Sequence, residues 1–334
     1  MSNVNFYVVV WQIQKFFRRK FRFVRATNHQ VSFRKSQINN VKIYKRSREK
    51  VVLYNYKNNF DHNRSTIGIE NLILNPSTGV ARIKNRIVEE SSTWHVSDLR
   101  IWEPKPLITK KVIGKCINLP DNGFFHFLTE DLPRFLEVQA MGLKVKTIYG
   151  SRSKYVEDSL SILNISNSEY FSHPVICQEL ILSEKTPGGI FTKYDLAKLL
   201  IFSKNIKANC NIERIFISRR DSVKGRESRG LSNLLEIESL FSKYNFEILY
   251  LEDFSLDKQI ALLKGAKIIA GMHGAGLTNL IWNTRKCAVI EISESRITSH
   301  FAHLSSIANH EYIFKKSSEL LNFSKSDFLN LVNK

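Results

Sequence analysis

The segment 268-IIAGMHGAGLTNLIW-282 sets one histidine among three glycines where one apolar run gives way to another. A buried strand that turns into a helix at such a point exposes unpaired N–H groups, a ready seat for phosphate. Gly271 frees the backbone to leave the strand, Gly274 and Gly276 let a ligand approach the amides, and His273 can donate to a ligand oxygen. The spacing fits neither G-x-G-x-x-G nor the P-loop, so a tight turn without ligand remains open. A second set lies in 214-RIFISRRDSVKGRESRGLSN-233, where Arg219, Arg220, Lys224, Arg226 and Arg229 follow a strand. Guanidinium forks bind phosphate oxygens in pairs, and Arg219, directly after the strand, is the first choice; Lys224 and Arg226 read equally well as solvated charge. In the third set, 121-DNGFFHFLTEDLPRFLEV-138, His126 and Glu130 stand four apart on one helix face with Asp131 beside it. Such a pair can take a proton from a hydroxyl nucleophile, or can be a hydrogen bond on a helix surface. No Asp-x-Asp motif occurs, so metal catalysis does not lead and no cofactor is called for.

These residues need elements to hold them. With 334 residues, 43% hydrophobic and 11% aromatic, the chain is long enough for two domains with real cores. Residues 41–105 look β-rich, with 70-ENLILNPSTGVARIKNRIVEES-91 giving two alternating runs about a turn. Strands and helices then alternate. We expect strands at 111–117, 145–150 and 175–183 with helices at 124–140, 154–163 and 192–206. After a polar stretch at 204–213 come strands at 214–220, 246–252, 267–271, 288–293 and 312–315, with helices between and after them. Strands alternating with helices imply a mainly parallel sheet, so the fold class is α/β, two Rossmann-like halves after a β-rich extension. The expected domains are a basic aromatic segment at 1–40, a domain at 41–205 that is β-rich at its start and then Rossmann-like, and a second Rossmann-like domain at 206–334.

Lys and Arg number 50 against 31 Asp and Glu, a net +19, which points to an anionic partner, though a Lys- and Asn-rich composition of AT-rich coding accounts for it as well. The segment 15-KFFRRKFRFVR-25 mixes six basic residues with four phenylalanines, suiting an anionic membrane surface, RNA, or a helix packed on the body of the protein. The four cysteines are scattered without zinc or disulfide spacing. We see no signal peptide or membrane-spanning run, and read the Asn-x-Ser triplets at Asn63, Asn164 and Asn322 as chance.

Taken in order, 126-HFLTEDLPR-134, 215-IFISRR-220, 229-RGLSN-233 with Glu236, 273-HGAGLTN-279 and 289-VIE-291 resemble glycosyltransferase family 61 over about residues 105–315. The family's Asn-Glu pair reads Asn233-Leu234 here, leaving Glu236 for that role. The resemblance implies a GT-B enzyme that inverts the anomeric carbon without an obligatory metal. His273 and the donor-side residues Arg219, Arg229, Asn233, Glu236, Gly274, Ala275, Gly276, Leu277, Asn279 and Glu291 would then meet the nucleotide sugar, with Glu291 at the ribose. Glu130 or Asp131, with His126, would serve as acceptor base. The implied partners are a nucleotide-sugar donor, a glycan or lipid-linked glycan acceptor and an anionic membrane surface, with no nucleic acid. The expected setting is the cytoplasmic face of a bacterial membrane, in capsule or lipopolysaccharide synthesis. A nucleic-acid-binding protein lacks a reading module, and in a dehydrogenase or epimerase the glycine motif would follow the first strand of its domain.

Overall fold

A computed structural model describes residues 30–31, 51–55, 65–83, 86–88, 91, 109–183, 191–219, 233–294 and 299–332. The basic segment 15–25 and Arg220, Lys224, Arg226 and Arg229 lie outside the described residues. The chain divides into two compact units, 1–190 and 191–334, rather than at the 205/206 boundary read from composition. The polar stretch after 203 is held inside the second unit: Lys264 Nζ donates to the carbonyl of Ile206 at 3.0 Å, and Asn209 N–H donates to Ala261 O at 2.7 Å.

The first unit carries a nine-stranded sheet. Its strands are β1 (Gln30–Val31), β2 (Val51–Asn55), β3 (Ser65–Leu74), β4 (Ala81–Ile83), β5 (Arg86–Val88), β6 (Lys110–Leu119), β7 (Lys146–Tyr149), β8 (Ser168–Tyr170) and β9 (Val175–Ser183). The strands β9-β6-β7-β8 run as parallel neighbours, as do β1 and β5, while β3 pairs antiparallel with β2, β4 and β9. The sheet is therefore mixed, not mainly parallel: the β-rich extension joins the alternating part edge to edge through β3 and β9. Ile69, Leu72, Leu74, Val112, Cys116, Ile148 and Leu180 fill its core.

The segment expected as one helix over 124–140 is interrupted. A short turn, Phe124–His126, passes into a π-helical stretch, Phe127–Asp131, and then into α1 (Leu132–Gln139). Pro133 has no N–H and its ring crowds the carbonyl four residues back, so the ladder slips here to the wider pattern, with Leu132 N–H bonding Phe127 O. Helix α2 (Lys154–Ile162) follows β7.

The second unit holds five parallel strands. They are β10 (Arg214–Ser218), β11 (Glu247–Tyr250), β12 (Ile268–Met272), β13 (Ala288–Ile292) and β14 (Glu311–Lys315), in the order β11-β10-β12-β13-β14. Helices α3 (Lys193–Phe202), α4 (Leu234–Ser242), α5 (Leu256–Gly265), α6 (His300–Ile307), α7 (Ser317–Leu321) and α8 (Lys325–Val332) accompany them. A capping box starts α3: Asp195 N–H bonds Thr192 Oγ1 while Thr192 N–H bonds Asp195 Oδ2. Phe241 of α4 sits 4.7 Å from Phe216 and 5.1 Å from Phe328, centring the core on one face of the sheet. Buried Leu277, Leu280 and Trp282 belong to the stretch Ala275–Trp282, which is a 3₁₀ helix rather than the α-helix expected.

Candidate functional site

Parallel sheets bind ligands beyond the carboxyl ends of their strands, where the strand order reverses. In the order β11-β10-β12-β13-β14 that reversal lies between β10 and β12. Arg219 directly follows β10, and His273-Gly274 directly follow β12, so the structure brings two of the three sequence sets to one switch point. The guanidinium reaches the glycine: a Cβ built on Gly274 would stand 3.7 Å from Arg219 Nη1. Leu277 N–H bonds Gly274 O at 3.0 Å as the first bond of the 3₁₀ helix. The N–H groups of Ala275 and Gly276 precede that bond and lie at the helix's positive end.

The glycines have different reasons to be glycine. A Cβ on Gly271 would stand 3.0 Å from Ile217 O, and one on Gly276 would stand 3.0 Å from Ile217 Cγ2. Both therefore serve close packing inside the unit; Gly276 was expected to allow ligand approach and Gly271 to free the backbone at the strand's end. Of these three glycines Gly274 alone has room for a Cβ at ordinary contact distance, 3.7 Å from Arg219 Nη1 and 3.8 Å from Met272 O. Leu277 and Asn279 are fully buried. Asn279 donates to Gln259 Oε1 at 3.2 Å and to Gly276 O at 3.1 Å, and accepts from Trp282 Nε1 at 2.9 Å. These two side chains shape the loop from within, leaving its backbone to any ligand.

His273 is fixed from three sides. Its N–H donates to Ile292 O at 2.8 Å, its ring meets Phe301 edge-on at 5.5 Å, and its Nδ1 bonds Glu291 Oε1. Glu291 is fully buried in β13 and was expected to face ribose hydroxyls. Its Oε1 is instead engaged by His273 and its Oε2 by the hydroxyl of Tyr312, at 2.5 Å. The reason is register: Glu291 lies opposite Gly271 and Phe314, inside the sheet, not on its rim. Tyr312 was not foreseen. Glu236 is exposed on the outer face of α4. Two residues on, Glu238 accepts from Ser218 Oγ and from Tyr250 OH, at the carboxyl ends of β10 and β11. Glu238 was likewise not foreseen, and Asn233, half-buried at the start of α4, makes no capping bond.

In the first unit, His126 Nδ1 and Glu130 Oε1 are 2.7 Å apart, with side chains 33% and 14% exposed. Asp131 turns the other way. It is 2% exposed, accepts from Asn122 Nδ2 at 3.1 Å, and lines a cavity of about 20 Å³ with Asn118, Arg134 and Ser183. Burial pushes its carboxyl well above the ordinary carboxylate range, despite the Asn122 bond and the nearby Arg134 charge. Arg134 forks onto Ser183 O at 2.9 and 3.2 Å, tying α1 to β9. The preceding loop is a built turn: Gly123 takes φ 94°, which favours glycine, and its N–H donates to Asp121 Oδ1 at 3.0 Å. Burial raises the Asp121 carboxyl, but bonds from Ser151, Tyr155 and Gly123 outweigh it and hold the group below its ordinary value. Among the described residues no group of three or more His, Cys, Asp or Glu stands together as metal ligands would.

The second unit is thus an open α/β sheet of five parallel strands with Arg219 and the His273-Gly274 loop at its switch point. The family Glycosyltransferase 61 matches residues 124–290, and the chain belongs to it. The protein is thus a glycosyltransferase, and a sugar donor and an acceptor are its partners. The matched stretch runs from the π-helical segment through Arg219 and the His273 loop. No curated protein matches the chain.

Proposed function

We propose that the protein is an inverting, metal-independent glycosyltransferase that moves a sugar from a nucleoside diphosphate or monophosphate donor to a growing surface glycan. The observation that carries this reading is the convergence of Arg219, Gly274 and His273 at the β10/β12 switch point. As the glycosidic bond to the leaving phosphate breaks, negative charge grows on its oxygen, and a guanidinium, two helix N–H groups and an imidazole are the groups to meet it. The acceptor hydroxyl attacks the anomeric carbon from the opposite side, and its proton passes to Glu130. Two findings favour Glu130 over Asp131: Glu130 is partly exposed and paired with His126, whereas Asp131 is buried and turned away into the cavity beside Asn118 and Ser183. The capsule or lipopolysaccharide acceptor and a seat on the inner membrane face follow from the family resemblance and from 15-KFFRRKFRFVR-25. Among the described residues no helix is long and apolar enough to cross a membrane.

A thermal-shift panel of nucleotide sugars, followed by NMR of the product's anomeric configuration, tests the reading. A cognate donor at 100 times its Kd stabilises by about 2.7 kcal/mol. Retention of configuration, or activity lost to chelator and restored only by a divalent ion, contradicts it.

A further inference from the structure

Glu291 is a fully buried carboxylate in a strand paired on both sides, and the described contacts give it an unusual pair of partners. One oxygen meets His273 Nδ1 and the other accepts the Tyr312 hydroxyl at 2.5 Å. A buried carboxylate is costly unless its oxygens are hydrogen-bonded, so both partners are required for it to sit there. Tyr312 stands on β14, 21 residues further along. Burial, then the bond to Glu291, pushes its phenol well above the ordinary value, so it remains a donor. With Nδ1 committed to Glu291, Nε2 is the ring nitrogen left for a ligand, and the His273 side chain is still 15% exposed to receive one.

We propose that Glu291 and Tyr312 are positioning residues: Glu291 fixes the ring of His273 so that Nε2 faces the donor's leaving phosphate, and Tyr312 fixes Glu291, neither residue touching the donor. This rests on the reading of His273 as the group that meets the leaving phosphate. The carboxylate accepts the Nδ1 proton's hydrogen bond, and the hydroxyl removes the remaining freedom of the carboxylate to rotate away. A hydrogen-bonded acid behind a histidine sets its tautomer and direction in the same way in hydrolytic triads.

The test compares wild type with Tyr312→Phe, Glu291→Gln and His273→Ala, each measured for kcat, for nucleoside diphosphate affinity across UDP, GDP and ADP, and by NMR of the histidine ring nitrogens. Tyr312→Phe removes one hydroxyl and keeps the ring, so we expect kcat to fall about 10- to 100-fold, the range for residues behind a site, with nucleotide Kd within about threefold. Glu291→Gln, whose amide can present N–H to the ring, should cost at least about 100-fold in kcat by favouring the wrong tautomer. In the spectra, the Nδ1–H signal of His273, assigned by its absence in His273→Ala, should shift in Tyr312→Phe and be lost or moved in Glu291→Gln. If Tyr312→Phe folds poorly, Glu291→Gln and its ring signals carry the same decision. Wild-type kcat and an unmoved Nδ1–H signal in both variants, beside an inactive His273→Ala, overturn the positioning role while leaving His273 in place. Active His273→Ala overturns the reading beneath it. Raised nucleotide Kd with unchanged kcat in Glu291→Gln, and equal binding of ribo- and 2′-deoxynucleotide by that variant alone, returns Glu291 to the ribose and refutes the proposal.

Discussion

At the scale of single residues, the proposed acceptor-side chemistry turns on two adjacent carboxyl groups with opposite surroundings, Glu130 and Asp131. Glu130→Gln is expected to keep donor affinity and to lower kcat by about 10²- to 10⁴-fold, because the amide keeps the shape but cannot take a proton. Asp131→Asn is expected to leave kcat within a few-fold; steady-state kinetics on both variants decides the assignment, and the reverse pattern names Asp131 as the base. Stability gives an independent check. A carboxyl whose pKa rises on folding stabilises the fold fully below its unfolded value, 3.8, and loses that contribution as pH climbs through the folded value. Wild type should therefore lose denaturant resistance relative to Asp131→Asn as pH rises from about 4 toward neutrality. Wild type that instead gains resistance relative to Asp131→Asn as pH rises contradicts a raised Asp131 carboxyl. The spacing of His126 and Glu130 was legible in the sequence because four residues on a helix share a face. That Asp131 turns inward was not, since it depends on the slip at Pro133 and on a cavity built by β6 and β9. Tyr312 was invisible for a similar reason: only strand register brings it to Glu291.

At the scale of elements, the loop after β12 combines close packing at Gly271 and Gly276 with the proposed phosphate seat at Gly274. Gly276→Ala places a Cβ 3.0 Å from Ile217 Cγ2 and should lower stability by about 1–3 kcal/mol, as overpacking does. Gly274→Ala meets Arg219 Nη1 at a tolerable 3.7 Å, so it should melt like wild type yet bind donor less well. Melting curves and donor titrations on the pair separate the two roles; equal losses of stability contradict the division. Most strands and helices of the second unit were legible from the alternation of apolar runs with helical stretches. The three-residue edge strand β8 carried too little pattern to be read, and in Ala275–Trp282, where every residue from Leu277 to Trp282 is buried, no amphipathic period could distinguish a 3₁₀ from an α-helix. Helix phase misled at α4: Glu236 has the position in the sequence, Glu238 the position beside the sheet's carboxyl ends.

At the scale of the whole molecule, the net +19 bears on the proposed seat on an anionic membrane, which the basic segment 15–25 would mediate. Deleting residues 1–25 should release the protein from anionic vesicles, since six basic residues contribute about 1 kcal/mol each before screening. Soluble acceptors should still be glycosylated, because the proposed groups all lie beyond residue 120. Flotation of both forms, with a filter-binding salt titration on nucleic acid, checks this; no vesicle binding beside tight, steeply salt-dependent nucleic-acid binding refutes the membrane role. The central claim is that the β10/β12 switch point holds the donor's phosphates, and calorimetric titration of wild type and Arg219→Ala with the nucleoside diphosphate that wild type binds tests it most directly. A hydrogen bond to a charged group contributes about 1.5–3 kcal/mol, so the account predicts binding weakened by about 10- to 150-fold in a variant that still folds. An Arg219→Ala protein that binds the same nucleotide with wild-type Kd contradicts it.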